Sequence, residues 1–149
     1  MTEVAFYHLQ RSPLDAVLPR LLERTLSTDK RAIVIAGSSE RVEALAGLLW
    51  TYRPDSWLPH GTAKDGSASE QPVWLTAVDE NPNGATYLFL TDGVSSDRLG
   101  DYERCFDLFD GNDEDAVAAA RQRWTALKAD GHTLTYWQQT EAGRWEKRG

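Results

Sequence analysis

Apolar residues along this chain fall into two kinds of pattern, which alternate from the first residues to the last. Short continuous runs, rich in β-branched and aromatic side chains, are typical of strands that are covered on both faces. Such runs predict strands at residues 4–9, 31–36, 73–77, 86–91 and 104–109. The aromatic segment after residue 133 predicts one more short strand before the chain frays from about residue 138.

Between these runs, apolar residues recur with helical spacing. The first helix is expected to begin with Ser12 as its N-cap and to run to about Ser27, with Pro19 bending it. A second helix follows the turn at residues 37–39, because the apolar side chains after that turn fall on one stripe. A third helix begins at Asn112 or Asp113 and ends before Gly131, whose position suits a C′ glycine.

This alternation of strands and helices predicts the fold class. It is typical of a three-layer α/β fold, in which a mostly parallel, Rossmann-like sheet has helices on both faces. No segment resembles a linker long enough to separate two domains, so residues 1–149 are expected to form a single domain.

Composition narrows the possible functions. The net charge of −7 at pH 7 argues against general nucleic-acid binding, which needs a field that attracts phosphates. Cys105 is the single cysteine, which excludes an internal disulfide and a cysteine-based zinc site. The sequence shows no signal-peptide pattern and no apolar run of membrane-spanning length, so a cytoplasmic location is expected.

The turn Gly37-Ser38-Ser39 is the candidate nucleotide site, because it leads from a strand into a helix N-terminus. It lacks the glycine spacing of a dinucleotide-binding turn and the lysine of a P-loop. A tight turn with a serine cap is therefore favoured, no cofactor is expected, and a nucleotide-binding enzyme is kept as the alternative function.

Metal and catalytic signatures are weak. The acidic segment 110–115 fails as a calcium loop, since Asp115 stands where glycine is needed and Arg121 where glutamate is needed. The histidines His8, His60 and His132 are scattered, without a nucleophile or second acid beside them. The sequence therefore predicts neither a metal site nor a catalytic residue.

The third helix has two distinct faces. Small and apolar residues, with Arg123 among them, share the face expected to pack on the sheet. Arg121, Trp124, Thr125 and Lys128 share another face. That second face has two interpretations: either its cations suit the helix dipole while Trp124 lies at the edge of the core, or the group forms a receptor for an acidic peptide with an aromatic residue.

Several long segments resemble the chi subunit family of bacterial DNA polymerase III. They are "FYHL" (residues 6–9), "LW..RP.SWLPHG" (49–61), "QPVWL" (71–75), "LFLTDG" (88–93), "LFDGNDEDAVAAARQRW" (108–124) and the following "AxGHxLTYWQQ". The resemblance extends over essentially the whole chain, in order. It implies a non-catalytic accessory subunit of the polymerase, which connects the clamp loader, through the psi subunit, to single-stranded DNA-binding protein.

The resemblance also implies two binding sites. The acidic, aromatic-ending tail of single-stranded DNA-binding protein would bind the third helix. Arg121 would pair with its terminal carboxylate, Trp124 would contact its last ring, and Arg123 or Lys128 would compensate for two family lysines. Those lysines are replaced here by Val117 and Thr125, so an affinity of about −6 to −8 kcal/mol is expected.

The second implied site binds psi or another clamp-loader subunit. Trp57 matches a family aromatic residue that contacts psi, with Leu58, Pro59 and His60 beside it. Trp50, in the same segment, is instead expected to close the second helix against the core.

Overall fold

One seven-stranded sheet organises the molecule in a computed structural model that describes residues 2–51 and 59–148. In chain order the strands are β1 (Glu3–Leu9), β2 (Ala32–Ile35), β3 (Val73–Thr76), β4 (Tyr87–Leu90), β5 (Arg104–Asp110), β6 (Thr133–Gln139) and β7 (Trp145–Lys147). Their spatial order is β3-β2-β4-β5-β1-β6-β7. All pairings among β1 to β6 are parallel, and β7 pairs with β6 in antiparallel orientation. The five strands predicted from apolar runs are confirmed, each within one residue at either end.

In the described residues three α-helices cover the sheet: α1 (Leu14–Ser27), α2 (Ser39–Thr51) and α3 (Glu114–Ala129). The first two pack on one face, where their apolar residues join Ala5, Tyr7 and Leu9 of β1 in one core cluster. The third packs on the opposite face, in a second cluster with Val4 and Phe6. Successive residues of β1 thus point to opposite faces of the sheet, each covered by helices. The expected three-layer, mostly parallel α/β fold in a single domain is confirmed.

The start of α1 differs from the prediction. Pro13, not Ser12, is the N-cap residue, and it offers no capping side chain. Ser12 instead contacts the end of β6: its Oγ accepts a hydrogen bond from Gln139 Nε2 at 3.0 Å, and its backbone N–H donates to Gln139 Oε1 at 3.0 Å. The contact that replaces the cap comes from a residue 127 positions away, so local sequence could not reveal it.

The start and end of α3 follow the prediction. Asp113 is the N-cap, and its Oδ1 accepts hydrogen bonds from the backbone N–H groups of Asp115 at 2.9 Å and Ala116 at 3.3 Å. Gly131, just past the C-cap, has a φ of 88°, a left-handed conformation that favours glycine. These local signals fix where α3 begins and ends, and hence which of its residues face the sheet.

The chain after α3 holds two strands rather than the single short strand that the pattern predicted. β6 pairs in parallel with β1 over six positions, from Glu3 opposite Thr133 to His8 opposite Gln138. The chain then turns at Gly143, with a φ of 82°, and returns as β7. This arrangement places Tyr136 beside α3 and Trp137 on the other face, in the cluster beneath α1.

Candidate protein-binding site on the third helix

The inner face of α3 packs on the sheet as its apolar pattern predicted. Ala120 is buried, and Val117 and Leu127 are partly buried against the same core cluster. Val117, one of the two residues that replace family lysines, therefore faces the sheet in this protein.

Arg123 lies on that inner face and is held by an internal ion pair. Its Nε lies 2.7 Å from Asp107 Oδ2 and its Nη2 lies 3.0 Å from Asp107 Oδ1, the paired geometry that a guanidinium forms with a carboxylate. The two side chains are 15% and 3% exposed. Burial raises the pKa of Asp107, and the Arg123 guanidinium counters part of that shift. Arg123 therefore neutralises a buried charge of the fold.

Trp124 lies at the edge of the core. Its ring meets the Phe6 ring at 5.4 Å and the Tyr136 ring at 5.9 Å, both edge-to-face. Of the two interpretations of this helix face, the structural one thus holds for most of the indole. Part of the indole remains exposed on the outer surface of α3, because the residue is only partly buried.

Arg121 and Lys128 are the exposed cations of α3. They are seven residues apart, about 10 Å along the helix axis, with Trp124 between them. No ion pair within residues 2–51 and 59–148 involves either of them. Thr125, the second replacement of a family lysine, donates its hydroxyl to the Arg121 carbonyl at 3.1 Å. This surface therefore presents positive charge on a protein whose net charge is −7.

The charge of Arg121 acts on the pKa of His8, a coupling that sequence reasoning missed. His8 Nδ1 and the Tyr136 hydroxyl are 2.6 Å apart. Burial lowers the pKa of His8, and the positive charge of Arg121 lowers it further, while Gly111 and Asp110 act in the opposite sense. Burial also raises the pKa of Tyr136, against the effect of Arg121. The pKa of His8 therefore depends on the charge at Arg121.

Gly111 makes room for that histidine. A Cβ at position 111 would collide with the His8 ring and would lie 2.9 Å from the Leu9 carbonyl oxygen. The glycine therefore permits β5 to turn into α3 directly over β1. A glycine immediately after a strand was the available sequence signal, but the partner it accommodates is set by the pairing of β1 with β5.

A crevice of about 1,070 Å³ opens at the carboxyl ends of the parallel strands, the usual ligand site of open α/β sheets. Its lining includes the aspartates Asp15, Asp92, Asp110, Asp113 and Asp115. At the candidate nucleotide turn, the Gly37 N–H donates to Asp92 Oδ2 at 2.9 Å, and Arg41 Nε lies 3.2 Å from the same oxygen. A nucleotide phosphate would have to displace this carboxylate from the α2 N-terminus, so the geometry opposes the alternative function.

Cys105, the possible metal ligands and the helices bear on other candidate functions. Cys105 is fully buried, and burial raises its pKa well above the usual range for a thiol, as expected for a core residue. Within the described ranges, no group of three or more histidine, cysteine, aspartate or glutamate residues could hold a metal ion. None of the helices seen in these ranges has the length and apolarity needed to cross a membrane.

The predicted partner surface is only partly visible, because Trp57 and Leu58 lie outside the described residues. Pro59 is half-buried, and His60 is buried, with its ring 5.0 Å from the Trp50 ring. The prediction that Trp50 closes α2 against the core is wrong, since the side chain is 62% exposed. Leu45 and Leu49 fill that side of α2 instead, which leaves position 50 on the outer face.

Sequence comparisons with known proteins indicate the family of this chain. Residues 1–135 match the family model described as DNA polymerase III chi subunit, HolC. A protein of Rickettsia prowazekii named "Probable DNA polymerase III subunit chi" is 27% identical over 90 residues, which cover 60% of this chain. The matched region spans 54% of that relative's length. Because the family model covers most of the sequence, the chain belongs to the DNA polymerase III chi subunit family.

Proposed function

We propose that this protein is a non-catalytic adaptor of the DNA polymerase III holoenzyme. It binds the acidic C-terminal tail of single-stranded DNA-binding protein on α3, and it binds psi or another clamp-loader subunit through the segment around Trp57. Single-stranded DNA is reached only indirectly, through the coating protein. The proposal rests on membership of the family, and the observation that supports it is the exposed Arg121 on α3, which has no ion pair with another described residue.

The geometry around Arg121 suits a peptide that ends in an aromatic residue. The guanidinium can take the terminal carboxylate in a bidentate pair, because no carboxylate among the described residues holds it. The exposed part of Trp124, about one turn along α3 from Arg121, and the neighbouring Tyr136 ring of β6 offer an aromatic contact. Lys128 lies further along α3, where it can attract the acidic residues that precede the terminus.

We expect the contact with a single tail to be weak, so that attachment of the assembly depends on many tails. With Arg123 held by Asp107, only two cations of α3 face solvent beside Trp124, consistent with an affinity in the tens of micromolar. Many tails along a coated DNA strand raise the effective concentration of the attached polymerase assembly. A weak contact of this kind recruits the assembly and still lets it move.

The test is a calorimetric titration with a synthetic tail of the source organism's single-stranded DNA-binding protein, at two salt concentrations. We expect micromolar binding that weakens with salt, and Arg121→Ala should reduce it at least tenfold, about 1.4 kcal/mol or more. The matched control is Gln122→Ala, the exposed neighbour on the same helix, which should bind as the wild type does. The α3 site would be refuted if Arg121→Ala bound the tail with unchanged affinity.

The partner side of the adaptor is tested separately. Trp50 is exposed at the start of the segment that resembles the psi-binding surface, and exposed tryptophans are frequent hot spots of protein interfaces. Trp57→Ala and Trp50→Ala should each weaken co-purification with the clamp-loader subunits while leaving tail binding intact. Loss of both functions together in Trp57→Ala would show that Trp57 belongs to the core instead.

A further inference from the structure

A second concave surface lies on the opposite side of the sheet from α3. It is a groove of about 730 Å³ between α1 and the end of the sheet formed by β6 and β7. Seven strands about 4.8 Å apart make a sheet roughly 29 Å wide, whereas each helix covers only about 10 Å. Because α1 and α2 are the only helices on this face in the described part of the chain, the strip beside α1 is left open.

The walls of this groove are positively charged. Arg20 and Arg24 lie one turn apart on α1, and Arg104 lies across from them at the start of β5. Seventeen residues line the groove, and none of them is aspartate or glutamate. In the described ranges, Arg20 and Arg24 form no ion pair, and Arg104 reaches only the exposed Glu3, at 3.6 Å. Three guanidinium groups therefore face one cavity of an acidic protein.

Aromatic rings line the same groove beside these arginines. The Tyr7 ring stacks on Trp137 at 6.2 Å and meets the edge of Trp145 at 5.1 Å. The guanidinium of Arg104 lies 4.9 Å from the centre of the Phe106 ring. Burial raises the pKa of Tyr7, and both Arg104 and Arg24 counter that shift, so the two cations act on the same phenol.

Charge and composition together indicate the occupant. Arginine, tyrosine and tryptophan are the residues enriched in protein-binding hot spots. A long nucleic acid would also meet the repulsion of the whole acidic molecule, whereas a short segment seated among three arginines avoids most of it. The rings, moreover, stack on one another rather than standing free as platforms for bases.

We propose that this groove binds an acidic segment of a protein partner, in extended conformation, with one aromatic side chain seated over Trp137 and Trp145. From Ala16 to Thr28, α1 borders the groove for about 18 Å, which matches five or six extended residues. Carboxylates of the segment pair with Arg20, Arg24 and Arg104. This site is independent of Arg121, because α1 and α3 pack on opposite faces of the sheet.

The test uses a fluorescein-labelled hexapeptide, Asp-Glu-Asp-Phe-Asp-Glu, with an amidated C-terminus. The amide removes the terminal carboxylate on which the α3 site depends. Fluorescence anisotropy at low salt should show saturable binding to the full chain, and the double variant R20Q/R24Q should bind at least tenfold more weakly. Both residues are exposed on α1, so the variant should keep the far-ultraviolet circular dichroism spectrum of the wild type.

The matched control is the double variant R121Q/K128Q, which removes the same charge from α3 and should lose far less affinity for the hexapeptide than R20Q/R24Q loses. A neutral peptide, Asn-Gln-Asn-Phe-Asn-Gln, should not bind. Unchanged affinity in R20Q/R24Q, or an equal loss in R121Q/K128Q, would overturn the proposal. Tighter, arginine-dependent binding of a ten-residue thymidine oligonucleotide would overturn it in favour of single-stranded DNA.

Discussion

The crevice at the carboxyl edge of the sheet and the groove beside α1 are both large enough for a ligand, yet they differ in charge. In the crevice, Arg41 is paired with Asp92 and Arg123 with Asp107, and only the exposed Arg11 at its rim has no ion pair among the described residues. In the groove, Arg20 and Arg24 both lack such partners among the described residues. At the N-terminus of α2, where an open α/β sheet could bind an anion, the position is occupied by the carboxylate of Asp92. More of the unpaired positive charge therefore lies on the two helix-covered faces.

This difference in charge bears on the proposed adaptor function. Nucleotide-type chemistry needs a fixed anion site at the strand ends, where backbone N–H groups converge. Peptide binding needs free guanidinium groups beside exposed rings. The arrangement of arginines in this protein favours the second use, which we propose for both α3 and α1.

The largest expected effect is a loss of stability on replacing Arg123, because this arginine neutralises a buried carboxylate, whereas the exposed arginines do not. Arg123→Ala leaves the buried Asp107 carboxylate without its partner and should lower the free energy of unfolding by about 3–5 kcal/mol, measured by urea denaturation. Arg11→Ala, at an exposed arginine of the same crevice, should stay within about 0.5 kcal/mol of the wild type.

The loss in Arg123→Ala should depend on pH. Without the guanidinium, burial alone acts on Asp107, so its pKa rises further above the unfolded value of 3.8. A carboxyl group with a raised folded pKa stabilises the fold when protonated, and that contribution disappears as the pH rises through the folded pKa. The deficit should therefore be smaller at about pH 5 than at about pH 7. A deficit that grows on acidification would show that Asp107 is not the group responsible.

An intermediate effect is expected on replacing Asp92, because removing its negative charge should allow the crevice to bind an anion. Asp92→Asn keeps a residue type that tolerates the φ of 55° and removes the charge that holds Arg41 and the Gly37 N–H. The variant should gain weak phosphate binding, with a Kd in the range of about 1 mM, seen as a shift of the Gly37 amide resonance on titration. Asp97→Asn removes an equal charge from an exposed loop and should gain nothing. Equal phosphate binding by wild type and Asp92→Asn would mean that Asp92 does not block the site.

The smallest effect concerns the coupling of Arg121 to His8. Arg121→Gln removes a positive charge that lowers the pKa of His8, so that pKa should rise toward 6.5, as followed by the ring resonances in an NMR titration. A histidine whose pKa is lowered in the folded state destabilises the fold as the pH falls below its pKa in the unfolded state. The variant should therefore lose slightly less stability on acidification than the wild type does.

Binding of a tail carboxylate to Arg121 should move the His8 pKa in the same direction, which gives a readout of the α3 site in the wild type. Lys128→Gln is the control. A tail that binds without shifting His8 would place its carboxylate away from Arg121.

Local patterns were sufficient for most of the fold. Continuous apolar runs located five strands within one residue, because strands covered on both faces need apolar side chains at every position. Asp113 and Gly131 set the ends of α3 through bonds and backbone conformations that involve near neighbours only. The prediction was wrong for Ser12 and for the chain after α3. Both depend on contacts between residues far apart in sequence, since Ser12 bonds to Gln139 and β6 pairs with β1.

The candidate site was found only in part for the same reason. Sequence spacing could place Arg121, Trp124 and Lys128 on one helix face, since helical periodicity is a local property. It could not tell that Arg123 meets Asp107, that Trp124 packs on Phe6, or that Trp50 points to solvent. Each of those outcomes depends on which strands lie beneath the helix.

The sequence by itself thus determined the family, the alternation of strands and helices, and the excess of negative charge. Tertiary structure alone decided which arginines are neutralised and which remain free, because an ion pair forms only where the chain brings two charges within a few ångströms. It also decided that three arginines and two tryptophans meet beside α1, since α1, β5, β6 and β7 become neighbours only in the folded sheet.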